Sequence, residues 1–380
     1  MKRSTFFLGA GIVSLPLIYR RRYQTRFPLK AESNIEDDLS QSSYWQSLPI
    51  DWVKENEYYE KMVSQVQTYL EDHLRAGRIN SHGQPLAYNV YSLDNPVASV
   101  VIVHGFNEFK EKYQELIYYL LQANIEVFIY DQRGHGQSRQ APLNTQISVQ
   151  SFEEYQMDLS SFIDQVVIPQ AHSSYRVLLS HSMGGAVSLN YLENHSQVFH
   201  RAIFNSPMFR INFGRLEEAY VALLAQGMVG MGLGRVYIPG TRPLKLKGMD
   251  RLLDFAQLSR SIPRTAYATA LNHHLHEPIT QGGSYQWLQA AMDCDRRILD
   301  PAQLKEVDLP VMLIRAEKDQ IIDNKGIYTV GEALENVNQW LVPEGEHENF
   351  MDLDSYFLPL VGEIIAFITQ DNRRDRAIKF

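Results

Sequence analysis

The chain has 380 residues, enough for one large domain or two ordinary ones. Hydrophobic residues make up 44% and charged residues 21%, which excludes global disorder, a collagen repeat and a coiled coil. A single cysteine, Cys294, excludes an internal disulfide framework, a Cys-based zinc site and an N-terminal lipoprotein anchor. The net charge of −8 is unevenly spread: residues 1–30 hold seven Lys/Arg and no Asp/Glu, leaving 29 basic against 44 acidic residues in the remainder. Phosphate contacts need clustered Lys and Arg, so nucleic acid is not an expected partner of so acidic a body.

Ser4 to Tyr19 is a run of 16 uncharged residues rich in Phe, Leu, Ile and Val. It is shorter than the roughly 20 residues of a spanning helix and contains Pro16. Lys2 and Arg3 in front give it the look of a signal peptide, but Arg20-Arg21-Arg22 stands where a small-residue cleavage site belongs. The expectation is an uncleaved membrane anchor over residues 1–30, with a disordered leader as the alternative. More basic residues follow the run (Arg20, Arg21, Arg22, Arg26, Lys30) than precede it, which places the body on the cytoplasmic side of an inner membrane.

Residues 31–50 are polar and Ser-rich and read as a linker to a body at 51–370. Trp52 to Leu74 has helical apolar spacing (Val53, Met62, Val63, Val66, Leu70) and is expected to end near Gly77. Strands are predicted at Leu86–Tyr91, Ser99–His104, Ile125–Asp131, Arg176–His181, Ala202–Asn205, Val311–Arg315 and Gln339–Val342. Helical patterns at Tyr113–Gln122, Phe152–Val167, Met183–Glu193 and Lys325–Glu335 alternate with them, and a last helix is predicted at Tyr356–Ile368. Alternation with near-continuous apolar strands predicts an α/β fold, a mostly parallel, doubly wound sheet covered on both faces. The rhythm breaks between Pro207 and Pro310, where helical patterns continue without a convincing strand. An inserted helical cap at about 207–305 is the expectation.

The strand at Arg176–Leu179 runs into Ser180-His181-Ser182-Met183-Gly184-Gly185 and then a helix. That is the strand–turn–helix context of a nucleophile elbow, G-x-S-x-G, in which a tight turn lifts one hydroxyl above the sheet edge. Gly184 supplies one small neighbour; Ser180 stands where the other glycine belongs. A serine hydroxyl is a weak nucleophile until a base takes its proton, and the base needs an acid to orient it. On such sheets the order along the chain is Ser, acid, His. Val311 to Asp319 is an apolar strand ending in a loop acid, and Gln339 to His347 a strand ending in a loop histidine. Ser182, Asp319 and His347 are therefore the candidate catalytic residues, with Asp323 and Glu317 sharing the acid's loop. An oxyanion needs two backbone N–H donors, one from the residue after the nucleophile and one from the loop after an earlier strand. Met183 and Phe106, in Val100–Glu108, are the candidates.

His104-Gly105-Phe106-Asn107-Glu108, Asp131 to Ser138 (DQRGHGQS), Ser180 to Gly185 and Gly345-Glu346-His347-Glu348 follow in this order. This set resembles the α/β-hydrolase branch that contains monoacylglycerol lipases, serine-aminopeptidase-like hydrolases and bacterial lysophospholipase L2. Asn205-Ser206-Pro207-Met208-Phe209 and Gly282 to Trp287 look most like lysophospholipase L2. The resemblance covers about residues 50–370 and implies the same Ser182, Asp319 and His347 roles. Two departures are Ser180 for glycine and Ala316 in the acid loop.

Other motifs have plainer readings. His273-His274-x-His276 reads as solvated or cap-lining histidines, so no metal is expected, nor any cofactor. Asp131 to Gly136 lacks the GK[ST] of a phosphate cradle and reads as a loop whose Asp and Arg tie its neighbours. Ala219 to Gly234 is uncharged and is either a core-facing helix or a lipid-facing, acyl-chain-lining segment. The expected function is serine hydrolysis of carboxylic esters in lipids through an acyl-enzyme, narrowed to a lysophospholipase. The alternatives are a monoacylglycerol lipase, a small-ester or peptide hydrolase, and, from another class, a catalytically inactive binding protein. The expected partners are a lipid ester and a membrane surface; acyl length, head group and oligomeric state are not legible.

Overall fold

The computed structural model describes residues 36–141, 144–239, 241 and 258–370. The expected anchor at 1–30 lies outside them. Among the described residues no helix is long and apolar enough to cross a membrane.

The strands in chain order are β1 Glu36–Asp38, β2 Leu74–Ser81, β3 Gln84–Tyr91, β4 Ala98–Val103, β5 Ile125–Tyr130, β6 Arg176–His181, β7 Arg201–Asn205, β8 Val311–Ala316 and β9 Val337–Val342. They form one sheet in the order β1-β9-β8-β7-β6-β4-β5-β3-β2. β3 pairs antiparallel with β2 and β5; every other pairing is parallel. Side chains alternate across the sheet, so one strand serves two cores. Val101 and Val103 of β4 face one cluster with Leu178 and Phe204; Val100 and Ile102 face the other with Leu179 and Ile203. The first face is covered by α3 (Glu153–Phe162), α4 (Met183–His195) and α8 (Lys325–Ala333). The second is covered by α1, which runs from Tyr58–Lys61 through a π turn to Gln67–His73, by α2 (Gln114–Gln122) and by α9 (Asp354–Thr369). This is an α/β-hydrolase fold.

Between β7 and β8 the described residues contribute α5 (Glu218–Gly230), α6 (Ile262–His276) and α7 (Tyr285–Ile298), with β-structure limited to single bridges. A buried ion cluster fastens α6 to the body. Arg264 donates to Glu115 of α2 through Nε and Nη2, both at 2.9 Å, and to Asp354 of α9 at 2.8 Å.

Two expectations from the sequence are corrected. Residues 36–50 are not a linker: β1 pairs with β9, Leu39 is fully buried, and Arg315 grips Glu36 with two bonds of 2.7 and 2.6 Å. A short strand held by one ion pair leaves no apolar alternation to read. The helix expected over Trp52–Leu74 begins at Tyr58, and Gly77 does not end it but lies inside β2. There Gly77 faces Tyr88 across the hairpin, and a Cβ at this position would collide with the Tyr88 ring. The hairpin turns at His82 (φ 50°) and Gly83 (φ 88°), the paired positive φ values of a type I′ turn.

Candidate active site

β6 ends in Ser180 and His181, and the chain turns at Ser182 with φ 51° and ψ −122° before α4 starts at Met183. A non-glycine residue in this region carries roughly 1–3 kcal/mol of strain and persists only when its surroundings hold it. Here Ser182 N–H donates to Asn205 O at 3.2 Å, while Ser182 O accepts from Gly185 and Met208, both at 2.8 Å. A Cβ on Gly184 would run into the carbonyls of Val103 and His104, and one on Gly185 into Pro207. These glycines let α4 start hard against β4 and the loop after β7. Ser180 fits in the place of the first glycine because its buried hydroxyl donates to Ile203 O on neighbouring β7, at 3.3 Å.

The structure brings the three predicted side chains together. His347, in the loop after β9, lies with Nε2 2.8 Å from Ser182 Oγ and Nδ1 2.7 Å from Asp319 Oδ2. The other Asp319 oxygen accepts from Ile321 and Ile322 N–H at 2.8 and 3.2 Å, which aims the carboxylate at the ring. The loop's other acids are engaged elsewhere. Asp323 accepts from Lys325 N–H at 3.1 Å and faces Arg210, and Glu317 accepts from Glu344 N–H at 2.7 Å.

The two candidate N–H donors flank Ser182. Met183 opens α4, where a backbone N–H has no intrahelical acceptor and the helix dipole is positive. Gly105 backs directly onto Ser182: a Cβ there would sit 3.0 Å from the serine Cβ. Phe106 follows, its ring against Trp287 of α7 at 4.3 Å, and Asn107 (φ 62°) accepts from Gly282 N–H at 3.1 Å. The insert thus braces the loop that carries Phe106. Over these groups lies a cavity of about 210 Å³ whose walls include Phe106, Phe109, Leu258, Ala268 and Met351, with Ser182 and His347 at its floor.

Residues 94–354 match the Hydrolase_4 family model, serine aminopeptidase S33. The chain belongs to the serine aminopeptidase S33 family of hydrolases. It is 27% identical over 283 residues to lysophospholipase L2 of Escherichia coli, covering 72% of this chain and 81% of that one. It is 25% identical over 260 residues to monoglyceride lipase of Rattus norvegicus, 67% of this chain and 76% of the relative. Among solved structures, a soluble variant of monoglyceride lipase from Saccharomyces cerevisiae in complex with a substrate analogue shares the fold. Its TM-score is 0.63 at 20% identity, covering 80% of this chain and 98% of that one.

Beside its Ser–His–Asp chain this S33 hydrolase holds a buried ionic cluster that sequence reasoning did not assign. Lys112 reaches Glu108 and, at 2.6 Å, Glu348; His181 Nε2 lies 3.3 Å from Glu348 and 3.6 Å from Glu108. Glu108 also accepts from Gly105 N–H and, at 2.7 Å, from Tyr113 OH. Burial alone would push both carboxyls up, but Lys112 and His181 outweigh it and hold them below the usual range. Glu108 and Glu348 lie within the two motifs that carry Phe106 and His347. The available signal was three charged residues in tight loops beside the candidate residues, where burial demands partners.

The Asp131 loop ties its neighbours as its composition implied. Asp131 accepts from Lys110 and Gln137, while Arg133 pairs with Asp158 at 2.6 and 2.8 Å. His273 pairs with Glu277 at 2.7 Å and buried His276 with Glu111 at 3.1 Å. The stretch 219–234 forms none of the described walls of the cavity, which takes its insert side from 258–272 instead. Of α5 only Ala222 and Ala225 are buried, while Tyr220 and Leu224 face outward.

Proposed function

We propose that this chain is a serine hydrolase that cleaves the carboxylic ester of a single-chain lipid, with a lysophospholipid as the substrate class. The observation that carries the reading is the unbroken Ser182–His347–Asp319 hydrogen-bond chain, 2.8 and 2.7 Å, at the floor of a mostly apolar cavity. Ser182 Oγ attacks the acyl carbonyl as His347 Nε2 takes its proton, and Asp319 stabilises the imidazolium. The N–H groups of Phe106 and Met183 receive the oxyanion, an electrostatic contribution typically worth about 10²–10³ in rate per donor. His347 then protonates the departing alcohol, and water releases the acid from the acyl-enzyme by the reverse path.

Similarity to lysophospholipase L2 and to monoglyceride lipase supports a lipid ester over a peptide. So does the outward apolar surface of the insert, with Leu216, Tyr220, Leu224 and Met231 each more than half exposed, since a substrate in an aggregate must be met at its surface. The apolar run at 4–19 completes the reading as a membrane anchor that keeps the body at the cytoplasmic face.

The test is hydrolysis of a panel of lysophospholipids, monoacylglycerols, short soluble esters and peptides, with a fluorophosphonate to label the nucleophile. Labelling at Ser182, its loss in Ser182→Ala together with turnover, and the highest kcat/KM on lysophospholipid are expected. Turnover surviving in Ser182→Ala overturns the mechanism; preference for monoacylglycerol or peptide overturns the substrate assignment.

A further inference from the structure

Three loops must agree in position for the proposed reaction: the one carrying Phe106, the turn carrying Ser182 and the one carrying His347. Each has a charged residue within two positions of its working residue, namely Glu108, His181 and Glu348, all at least four-fifths buried; the two glutamates converge on Lys112, and His181 faces both glutamates. Glu108 couples to the first loop most directly, because one oxygen accepts from Gly105 N–H while the other meets Lys112. His181 faces Glu108 and Glu348 with Nε2. Its Nδ1 lies 3.1 Å from the main-chain carbonyl of Asn205, which can only accept, and 3.2 Å from the Asn205 side-chain amide. The rings of His347 and Phe350, at 5.1 and 5.9 Å, complete its surroundings.

The charge arithmetic decides what this cluster needs. Two buried carboxylates, Glu108 and Glu348, meet one ammonium, that of Lys112. A second positive charge balances the group, and among the described residues His181 is the titratable side chain facing both carboxylates that can carry it. We propose that Glu108, Lys112, His181 and Glu348 act as a single positioning unit that locks the oxyanion loop, the nucleophile turn and the base loop together, with His181 working as the imidazolium. This rests on the serine-hydrolase reading above and deepens it.

The direction of titration agrees with the geometry. Burial works to lower the His181 pKa, but Glu108 and Glu348 outweigh it and raise it above the ordinary histidine value. A raised pKa means that the balanced arrangement is complete below the ordinary histidine range and is lost as pH rises through the folded-state value. Above it one carboxylate stays buried without a counter-charge, and the three loops lose their common tie.

The experiment uses the full chain with a soluble p-nitrophenyl ester, measuring kcat and KM across pH, and a fluorophosphonate to score Ser182 independently. His181→Gln is expected to lower kcat by about 10- to 100-fold with KM little changed, the scale of a misplacement of about 1 Å. Adding Glu348→Gln to His181→Gln restores the charge balance and is expected to recover most of that loss. Glu348→Gln alone leaves one carboxylate for one ammonium, so loss of the His181 proton no longer unbalances the group and the alkaline fall in kcat is expected to flatten. Losses that simply multiply in the double variant, or an alkaline fall unchanged in Glu348→Gln, overturn the proposal. If His181→Gln does not fold, the Glu348→Gln pH profile decides by itself. Absence of Ser182 labelling in the unaltered chain overturns the serine-hydrolase reading; normal labelling without rescue overturns only the positioning unit.

Discussion

Helices α4 and α5 are the same length, 13 residues, and both are rich in small and apolar side chains. α4 is buried from Met183 to Glu193, whereas α5 buries only Ala222 and Ala225. The difference lies in what each helix is laid against. α4 starts from β6 and packs on the sheet, with Gly184 and Gly185 admitting it to van der Waals contact with β4 and the loop after β7. α5 follows a loop out of the sheet and rests on α7. Apolar content therefore does not decide burial; attachment to the sheet does. The sheet half of the molecule over-determines the position of Ser182, and the insert is fastened at a few points, Arg264 above all.

Four experiments would break or sharpen this contrast. The largest effect is expected in the rigid half. Asp319→Asn should lower kcat by about 10⁴-fold, because an amide cannot hold the His347 tautomer that accepts the serine proton. Asp323→Asn, whose parent only caps the loop against Lys325 and Arg210, should stay within a few-fold of the unaltered chain. Steady-state kinetics on a soluble ester distinguishes the two, and equal losses would show that the acid loop is not rigidly placed.

At the joint between the halves, Arg264→Ala should destabilise the protein by about 3–5 kcal/mol, since it leaves Glu115 buried without its partner. Arg264→Met with Glu115→Gln should recover most of this in urea denaturation. Unchanged stability in Arg264→Ala would mean that α6 is held by other contacts.

The smallest effect is expected on the outward face. Leu224, 52% exposed, should tolerate Leu224→Asp within about 0.5 kcal/mol and with unchanged kcat on a soluble ester. Hydrolysis of vesicle-borne lipid should nonetheless fall. Equal vesicle rates would show that this face does not meet lipid. In the same vesicle assay Ile12→Asp should release the full-length chain from the membrane after a salt wash, and retention would remove the anchor from the account.

The central elements were legible because their physics is local. Val100 to Val103 and Val311 to Ile314 are strands by composition, and Ser182, Asp319 and His347 stand at strand ends in the order such a sheet requires. β1 and β2 were not legible. β1 exists through pairing with β9 and the Glu36–Arg315 bridge, and β2 is an edge strand with mostly exposed side chains and a glycine under Tyr88. Neither leaves a periodic apolar signal.

The sequence by itself thus determined the α/β class, the elbow at Ser182 and the candidate acid and base, since hydrophobic period and turn chemistry are written in neighbouring residues. Only the tertiary structure set Asp319 rather than Asp323 against His347, put 258–272 rather than 219–234 over the site, and gathered Glu108, Lys112, His181 and Glu348 into one buried cluster. Those outcomes depend on which loops a folded sheet brings within a few ångströms of each other. Residues 236 positions apart, as Lys112 and Glu348 are, carry no local trace of that meeting.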